Sequence, residues 1–394
     1  MTVSGTPCRT EHYPVPGAAV SRVPGIRDGS LPMTDTALPT EQVAERFAAG
    51  AVRFNARFEQ YFCTLADTFD APSSSRFVPE CLDLLRDLSM RGGKRLRVAL
   101  LYEAARLVTP DPVRGLEEAA LSVELLQTHA LVHDDIIDDG PVRRGGPSTH
   151  YAYREKFPQH PQSALGLAIL AGDLALALSL RVLLDSPASL AVRHAMVGVQ
   201  SAAASSMIVG QITDIERDFT DLPSAELLHA VSDYKSARYS ILAPLQLGLL
   251  AAGEDPARFD AELRRYARLV GIYEQMRDDY LDLFSNTQTM GKSTGSDLRS
   301  GKRSYTVAAL LAVVSGTEQA VVEAALGDSS CTPETVAAVR EIAISHGVEQ
   351  KLLADMRRCA ELASAEAAGW RTRWREEAVT LFEHLPLWSI ERAL

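Results

Sequence analysis

Apolar residues recur at three- and four-residue spacing along nearly the whole chain from about Leu38 onward. This period predicts amphipathic helices, whereas the two-residue alternation typical of strands is nearly absent. The sequence therefore predicts an all-α fold, a helical bundle that holds its ligands in a cavity between helices. The predicted helical segments lie near residues 40–69, 76–90, 95–108, 114–139, 163–184, 187–216, 224–233, 235–252, 258–284, 303–315, 317–326, 333–345, 347–369 and 371–385.

Two regions of different composition divide the chain. Residues 1–38 are rich in Pro, Gly, Ser and Thr and show no period, which predicts a flexible N-terminal tail. Residues 39–394 are predicted to form one domain. The whole chain is 46% hydrophobic and 23% charged, which suffices for a sizeable core.

Charge, hydropathy and cysteine usage limit the partners. A net charge of −11 argues against nucleic acid. The most apolar stretch, 165–180, is interrupted by Asp173 and is short for a bilayer crossing, so no membrane span is expected. The five cysteines are an odd number without a C-x-x-C pair, so they indicate neither a disulfide framework nor a zinc site. We expect a soluble protein in a reducing cytoplasm.

Two copies of the pattern D-D-x-x-D stand far apart, in HDDIIDDG (133–140) and EQMRDDYLD (274–282). Residues four apart stack on one helix face, so the carboxylates within each motif repel one another. Mg²⁺ prefers carboxylate oxygens and completes its shell with substrate phosphate. A solvated acidic helix face is the alternative for one motif. Two copies, each following an apolar helical segment, favour Mg²⁺ and a diphosphate between them. The six carboxylates are Asp134, Asp135, Asp138, Asp278, Asp279 and Asp282.

Cationic segments accompany both motifs. RGGKRLR (91–97) combines two glycines with Lys94, Arg95 and Arg97 at the start of the following helix, which suits an anion. VRRGGPSTH (142–150) carries adjacent arginines, whose planar forks suit phosphate oxygens. YKSARYS (234–240) and GKSTGSDLRSGKR (291–303) add lysines and a hydroxyl. Alone, RGGKRLR is more typical of a basic helix start on the surface, and adjacent loop arginines are usually solvated, so only the combination indicates a site.

These motifs, together with LAGD (170–173) and GQITD (210–214), resemble in identity and order those of the trans-isoprenyl (polyprenyl) diphosphate synthases. The resemblance implies an all-helical bundle of the isoprenoid synthase type around a deep central cavity, usually a homodimer. It also implies a catalytic domain over 39–394 and condensation of isopentenyl diphosphate with an allylic diphosphate.

Site roles follow from the resemblance, residue by residue. Isopentenyl diphosphate would be bound by Lys94, Arg97, Gln127 and Arg144. The allylic diphosphate would be held by Arg143, Lys235, Ser236, Gln275, Lys292 and Lys302. Several Mg²⁺ ions bridging that diphosphate would be held by Asp134, Asp138, Asp278, Asp279 and Asp282, with Asp135 in support. Catalysis would rest on the six aspartates with Lys235 and Lys292.

Three positions depart from the family pattern. Val98 stands where proline is common, and Ser236 where threonine is usual but keeps the hydroxyl. Glu274 stands where phenylalanine is usual and adds a charge beside the second motif, for which the sequence offers no reason.

The chemistry explains the concentration of charge. Ionisation of an allylic C–O bond releases a multiply charged diphosphate, which Mg²⁺ and the cations stabilise electrostatically. The allylic cation is then attacked by the double bond of isopentenyl diphosphate, and, by analogy with the family, loss of a proton to the departing diphosphate gives the longer allylic product.

Product length is predicted from the positions four and five before Asp134, which are Ala130 and His129. They lie roughly 6–7.5 Å down the helix. Short-chain members of the family tend to carry an aromatic residue there. Ala130 leaves room and His129 blocks only partly, so we expect a product longer than C15, namely C20 geranylgeranyl diphosphate. An ordinary packing role for His129 is the alternative.

The sequence is also compatible with other functions. The product could be farnesyl (C15) or a longer chain (C25 and above). A class I terpene cyclase also carries D-D-x-x-D, although its second metal motif normally mixes Asn, Ser and Glu. A non-catalytic partner subunit typically loses aspartates, whereas both sets are intact here.

Overall fold

The computed structural model describes residues 40–220, 222–285 and 294–391. The predicted tail, 1–38, lies outside the described residues, as does Lys292. The boundary between tail and domain therefore stays a prediction.

The described chain is built of helices, and the predicted all-α fold is confirmed. The helices of its first part are α1 (Thr40–Thr68), α2 (Phe77–Met90), α3 (Leu96–Val108), α4 (Leu116–Ile137), α5 (Thr149–Lys156), α6 (Pro161–Leu184), α7 (Leu190–Arg217) and α8 (Ala225–Val231). A π-helix (Ser232–Leu242) leads directly into α9 (Ala243–Ala251), and a 3₁₀ turn (Pro256–Phe259) leads into α10 (Asp260–Phe284). The last part comprises α11 (Ser296–Ser300), α12 (Tyr305–Leu311), α13 (Gly316–Ala325), α14 (Pro333–Ser345), α15 (Val348–Ala368), a 3₁₀ turn (Gly369–Thr372) and α16 (Glu376–Glu391).

The strands in the described residues form one small hairpin. Strand β1 (Val142–Arg143) pairs antiparallel with β2 (Gly146–Pro147), and Arg143 lies opposite Gly146. The two turn residues, Arg144 and Gly145, have φ of 51° and 75°. Positive φ at both central positions is typical of a type I′ turn, whose twist matches that of the paired strands. The predicted Gly/Pro loop is thus an ordered hairpin.

Local sequence explains where several helices begin and what they bury. The Ser189 and Thr332 side chains accept hydrogen bonds from the amides of Val192 and Thr335, capping α7 and α14. In α1, aromatic residues four apart occupy one face, and Phe54, Phe58 and Phe62 are buried there. Consecutive ring centroids of these three are 5.1 and 5.0 Å apart.

Two large apolar clusters flank the predicted site. One joins α1 to α4 and α6, and includes Phe58 and Leu121. The other surrounds α10 and the C-terminal helices, with Tyr266, Trp370 and Phe382 in mutual contact. The aspartate-bearing helices α4 and α10 are thereby held each by its own packed core.

The π-helix is inserted between α7 and α10, and glycines on both neighbours permit this. A Cβ atom on Gly210 would lie 2.1 Å from the Lys235 amide nitrogen. A Cβ atom on Gly271 would lie 2.4 Å from that of Ala237. The sequence separates two helical segments near residue 234, but the chain is continuously helical there. A π segment often marks a functional site, because its extra residue per turn redirects side chains.

Helices α6 and α7 are long and apolar enough, by length and composition, to cross a membrane. The buried share of their most apolar windows is 44% and 33%. Core helices of soluble proteins meet the same criterion, so the expected absence of a membrane span stays a prediction.

Candidate active site

The first aspartate motif ends α4. Asp134 and Asp135 occupy the last turn, and Asp138 is the C-cap, exposed, with its amide 2.9 Å from the Asp134 carbonyl. Asp135 is buried, and burial raises the pKa of its carboxyl. Its Oδ2 atom has no hydrogen-bond partner among the described residues. The motif thus presents carboxylate oxygens that retain capacity for a further ligand.

The hairpin holds a cation against this motif. Arg143 Nε donates to Asp135 Oδ1 at 2.8 Å, and Arg143 NH2 lies 3.2 Å from Asp134 Oδ2. Burial opposes the charge of this guanidinium, but the two carboxylates outweigh it and raise its pKa. A diphosphate arriving here would meet an arginine already oriented.

Lys235, on the π-helix, joins the first motif to α7. Its Nζ lies 3.1 Å from Asp134 Oδ1 and 2.6 Å from Asp214 Oδ2. Burial acts to raise the pKa of Asp134, but Lys235, Lys302 and Arg143 lower it. Asp134 is therefore ionised at neutral pH, as a metal ligand must be.

Asp214 is a site residue for which the sequence predicts no role. It lies in the GQITD motif, buried on the last turns of α7, and Arg217 NH2 is 2.8 Å from its Oδ1. Although burial acts to raise it, Lys302, Lys235 and Arg217 lower the pKa of Asp214 to about 2. The sequence signal for this residue is the GQITD motif itself, in which Asp214 directly follows Thr213.

Lys302 connects the two motifs electrostatically. Its Nζ lies 3.7 Å from Asp214 Oδ2. Burial disfavours its charge, but nearby carboxylates, Asp214 and Asp138 first among them, raise its pKa. The same ammonium acts on Asp279 of the second motif. The two motifs thus share a cation, as one diphosphate-binding region would require.

In the second motif, on α10, two of the three carboxylates already accept hydrogen bonds from other parts of the chain. Asp278 is exposed, whereas Asp279 and Asp282 are buried. Asp279 accepts hydrogen bonds from Gln275 Nε2 and from the Tyr305 amide, each at 2.8 Å. Burial and the nearby Asp297 raise its pKa. Asp279 thereby ties the start of α12 to α10.

Asp282 caps the short helix α11. Its Oδ1 accepts from the Ser296 amide at 3.2 Å and from the Ser296 hydroxyl at 2.5 Å, and its Oδ2 accepts from the Asp297 amide at 3.0 Å. A carboxylate at a helix N-terminus satisfies amides that have no partner within the helix. A metal at Asp282 would have to share these oxygens, so its predicted role as a ligand stays a prediction.

Ser236 and Gln275 lie together near the second motif. The Ser236 hydroxyl is 3.5 Å from Gln275 Oε1, and Gln275 in turn binds Asp279. The structure therefore brings these two predicted allylic-site residues to the same place as Asp279.

The predicted isopentenyl site is a second group of residues. Arg97 NH2 donates to the Tyr239 hydroxyl at 3.1 Å and to Ser240 Oγ at 2.8 Å. The Tyr239 hydroxyl donates to Gln127 Oε1 at 3.0 Å. Tyr239, which the sequence interpretation did not assign, thus links two predicted ligands from α3 and α4.

Arg144 completes this second group. A Cβ on Gly93 would lie 3.3 Å from Arg144 NH2, so the glycine allows the hairpin arginine to approach the RGGKRLR segment. Burial and the neighbouring Arg95, Arg97 and Arg143 lower the pKa of Arg144, although Glu124 acts against them. Such a concentration of guanidinium charge is relieved by an anion.

Two residues, one in the RGGKRLR segment and one beside the second aspartate motif, have structural roles. Arg95 is buried in an ion pair with Glu124 and donates a hydrogen bond to Asn55 Oδ1 at 2.8 Å. It therefore holds the RGGKRLR segment in place rather than facing a substrate anion. Glu274, which the sequence left unexplained, is 2.7 Å from Arg277 NH2 and accepts from Ser389 Oγ at 2.5 Å. Glu274 therefore joins α10 to the C-terminal helix α16.

A cavity of about 410 Å³ lies beside the first motif. Asp134 and Lys235 line it, together with Ala130 and the buried His129. Its other walls are mainly apolar and come from α6, α7 and the π-helix: Leu176, Met207, Ile208, Ile212, Ile215 and Tyr239. The charged side chains of Asp134 and Lys235 therefore lie at the edge of an apolar cavity, and Ala130 lines that cavity one helical turn before Asp134.

A comparison of the sequence with models of protein families agrees with this site. The family model described as "Polyprenyl synthetase" covers residues 78–343, most of the described chain. The chain belongs to the polyprenyl synthetase family. The predicted resemblance is thereby confirmed, and the carboxylate and cation groups described above all lie within the matched range.

Two relatives of this polyprenyl synthetase are similar over much of their length. The short chain isoprenyl diphosphate synthase of Methanothermobacter thermautotrophicus is 31% identical over 248 residues, which are 62% of this chain and 72% of that protein. The farnesyl diphosphate synthase of Geobacillus stearothermophilus is 34% identical over 223 residues, covering 54% and 70%.

Solved structures agree with the polyprenyl synthetase fold. The geranylgeranyl pyrophosphate synthase of Corynebacterium glutamicum, solved with isoprenyl diphosphate and magnesium, superposes with a TM-score of 0.74. It is 29% identical and covers 90% of this chain and 98% of its own. A geranylgeranyl pyrophosphate synthetase from Pyrococcus horikoshii, 22% identical with a TM-score of 0.73, shares the fold.

Proposed function

We propose that this polyprenyl synthetase condenses isopentenyl diphosphate with an allylic diphosphate of C5 to C15 and releases geranylgeranyl diphosphate. It is an enzyme, a trans-prenyltransferase of isoprenoid biosynthesis. The observation that carries the proposal is the arrangement of two separate cationic groups beside one apolar cavity. Lys235 and Lys302 lie with the aspartates, whereas Arg97 and Arg144 form the other group.

The carboxylates suit Mg²⁺. Asp134 is ionised through its cation neighbours, and Asp135 Oδ2 is buried without a hydrogen-bond partner among the described residues. Asp138 and Asp278 are exposed at the ends of their motifs. Oxygen-only ligands with spare capacity are what Mg²⁺ requires. Bound Mg²⁺ would act as a Lewis acid on the departing diphosphate.

The chain's own residues then have distinct tasks. Lys235, Lys302 and Arg143 stabilise the charge that develops on the leaving diphosphate, because each already lies against an aspartate of the site. Arg97 and Arg144 bind the diphosphate of isopentenyl diphosphate and so orient its double bond. The apolar cavity receives the growing chain and excludes water from the allylic cation.

Product length is the sharpest test. Purified protein is incubated with Mg²⁺, labelled isopentenyl diphosphate and each of the C5, C10 and C15 primers, and the hydrolysed alcohols are sized. We expect a C20 end point, and Ala130→Phe is expected to shift it towards C15. Ala130→Leu is the matched control, with a smaller shift. An unchanged product from Ala130→Phe contradicts the assignment of cavity depth to this position.

The same assay decides among the alternatives. C15 alone keeps the family and discards the depth argument, and C25 or longer means that His129 does not limit growth. Cyclic hydrocarbon without consumption of isopentenyl diphosphate indicates a terpene cyclase. No turnover by the protein alone indicates a partner subunit.

We also propose a homodimer formed through α6 and α7. Both helices expose large apolar side chains, including Leu170 at 62% and Val209 at 48%. Light scattering is expected to give twice 42.8 kDa. Leu170→Asp should give monomer, whereas Val52→Asp should not, although Val52 on α1 is 72% exposed. A monomeric native protein contradicts the proposal. A cytoplasmic location and the absence of nucleic-acid and membrane partners stay predictions from composition.

A further inference from the structure

Three potential metal-binding side chains meet where α4 faces α6, beside the cavity. His129 and His133 are four residues apart on α4, and Asp173 lies on α6. One ligand atom from each lies within 4.8 Å of the other two. Histidines at this spacing project from the same helix face. None of the three belongs to the aspartate motifs.

His129 is held in one tautomer. Its Nδ1 lies 2.9 Å from the Gly172 carbonyl oxygen. A carbonyl only accepts, so Nδ1 carries the hydrogen. Burial lowers the pKa of the ring, which is therefore neutral and keeps a lone pair on Nε2. Metal-binding histidines typically donate their other ring N–H to such a partner, which orients them.

His133 faces Asp173 without a hydrogen bond. Its buried Nε2 lies 3.2 Å from Asp173 Oδ1, but the geometry is not that of a hydrogen bond. Nε2 has no hydrogen-bond partner among the described residues. Two ligands of one tetrahedral ion, bonded at about 2.0–2.1 Å, lie about 3.3 Å apart. The observed separation therefore suits a shared ion.

The backbone of α6 leaves room for this arrangement. A Cβ atom on Gly172 would lie 2.5 Å from His133 Nε2. Only glycine allows the imidazole to lie this close to α6 beside Asp173. The same residue supplies the carbonyl that orients His129, so one position of α6 serves both histidines.

We propose that His129, His133 and Asp173 bind a divalent transition-metal ion, Zn²⁺ in particular, at a site separate from the carboxylate-only Mg²⁺ sites. Two imidazoles and one carboxylate are the ligand set of zinc sites that keep a fourth position open. Imidazole nitrogen selects Zn²⁺ or Co²⁺ over Mg²⁺, which prefers oxygen. The site goes beyond the prenyl-transfer function and does not require it.

The test is binding of the metal alone. Full-length protein is stripped with chelator and titrated with Co²⁺ in the presence of excess Mg²⁺, which occupies oxygen-only sites. We expect one equivalent to bind with the intense visible absorption of a low-coordinate, imidazole-bound ion, and Zn²⁺ to displace it. His129→Ala and Asp173→Asn should each weaken binding by at least about tenfold. His194→Ala, which removes an exposed histidine of α7, should leave it unchanged.

Several results would overturn the site. Absence of a visible band, or equal affinity in both ligand variants, would mean that the ion binds elsewhere. Asp173 is exposed, with 57% of its side chain accessible, so Asp173→Asn keeps the test valid even if His129→Ala fails to fold. Prenyl transfer is measured separately. Loss of that activity with cobalt binding intact would contradict the proposed function and leave this site standing.

Discussion

The two D-D-x-x-D motifs have the same spacing but different surroundings. The first, at the end of α4, faces cations: Asp134 lies against Lys235 and Arg143. The second, on α10, commits Asp279 and Asp282 to backbone amides of the segment that follows. The same sequence pattern therefore faces cationic side chains in one place and stabilises the following backbone segment in the other. Asp278 is the exposed member of the second motif, and it occupies the same position in its motif as Asp134.

The largest expected effect is on turnover. Asp134→Asn and Asp278→Asn should each lower kcat by about 10³, because each removes a carboxylate that would hold the charge-stabilising metal. Unfolding temperatures should change little. The measurement is incorporation of labelled isopentenyl diphosphate at saturating Mg²⁺.

Asp139→Asn is the matched control for those two variants. Asp139 is a neighbouring exposed acid with φ of 47°, which asparagine tolerates, and it should leave kcat nearly unchanged. Retention of activity by Asp278→Asn alone would mean that the second motif serves the fold only.

The next effect concerns the glycine that admits the π-helix. Gly210→Ala should cost about 3 kcal/mol of stability, since its Cβ would lie 2.1 Å from the Lys235 amide nitrogen. It should also lower kcat by displacing Lys235 from Asp134. Gly198→Ala on the same helix, where a Cβ meets nothing within 4 Å, should stabilise by less than about 1 kcal/mol. Urea unfolding of both variants makes the comparison, and equal stabilities would refute the packing argument.

Capping by Asp282 gives a smaller effect. Asp282→Ala should cost about 2 kcal/mol, because the amides of Ser296 and Asp297 lose their acceptor. Hydrogen exchange of the peptide containing these amides should accelerate. Asp138→Ala, at the corresponding position of the first motif, is exposed and should change stability by less than about 0.5 kcal/mol. Equal losses in both would show that the motifs do not differ.

The smallest effect is a pH dependence from the packing behind the second motif. His229 is buried near Tyr305, and burial with Arg268 lowers its pKa from 6.5. The unfolded chain then binds the proton more readily, so the stabilisation is complete above pH 6.5 and is lost as pH falls towards the folded pKa. The loss is at most about 1.4 kcal/mol per pH unit.

The variant His229→Gln should remove that part of the slope in unfolding titrations between pH 7 and 5, whereas His194→Gln, at an exposed position, should retain it. A slope that is the same in native protein and His229→Gln would show that this histidine is not the titrating group.

Much of the site was predictable because its residues are marked by local patterns. Gln275 and Asp279 fall one turn apart on the same helix, and the structure joins them as spacing suggests. The role of Asp214 could not be predicted in this way, because a single acid in GQITD carries no pattern of its own. Its importance depends on Lys235 and Lys302, which reach it from separate segments.

The sequence by itself determined the helical fold, the family and the residues that gather charge, because helix periodicity and short motifs are local properties. Tertiary structure decided which charges meet. Arg97 reaches Tyr239 across 142 residues, and Tyr239 reaches Gln127 across 112. It also decided that Asp282 caps a helix while Asp134 faces a lysine, and that a glycine on α6 brings two histidines to an aspartate. Hydrogen bonds and ion pairs depend on distances of a few ångströms between helices, and those distances are set by how the apolar faces pack.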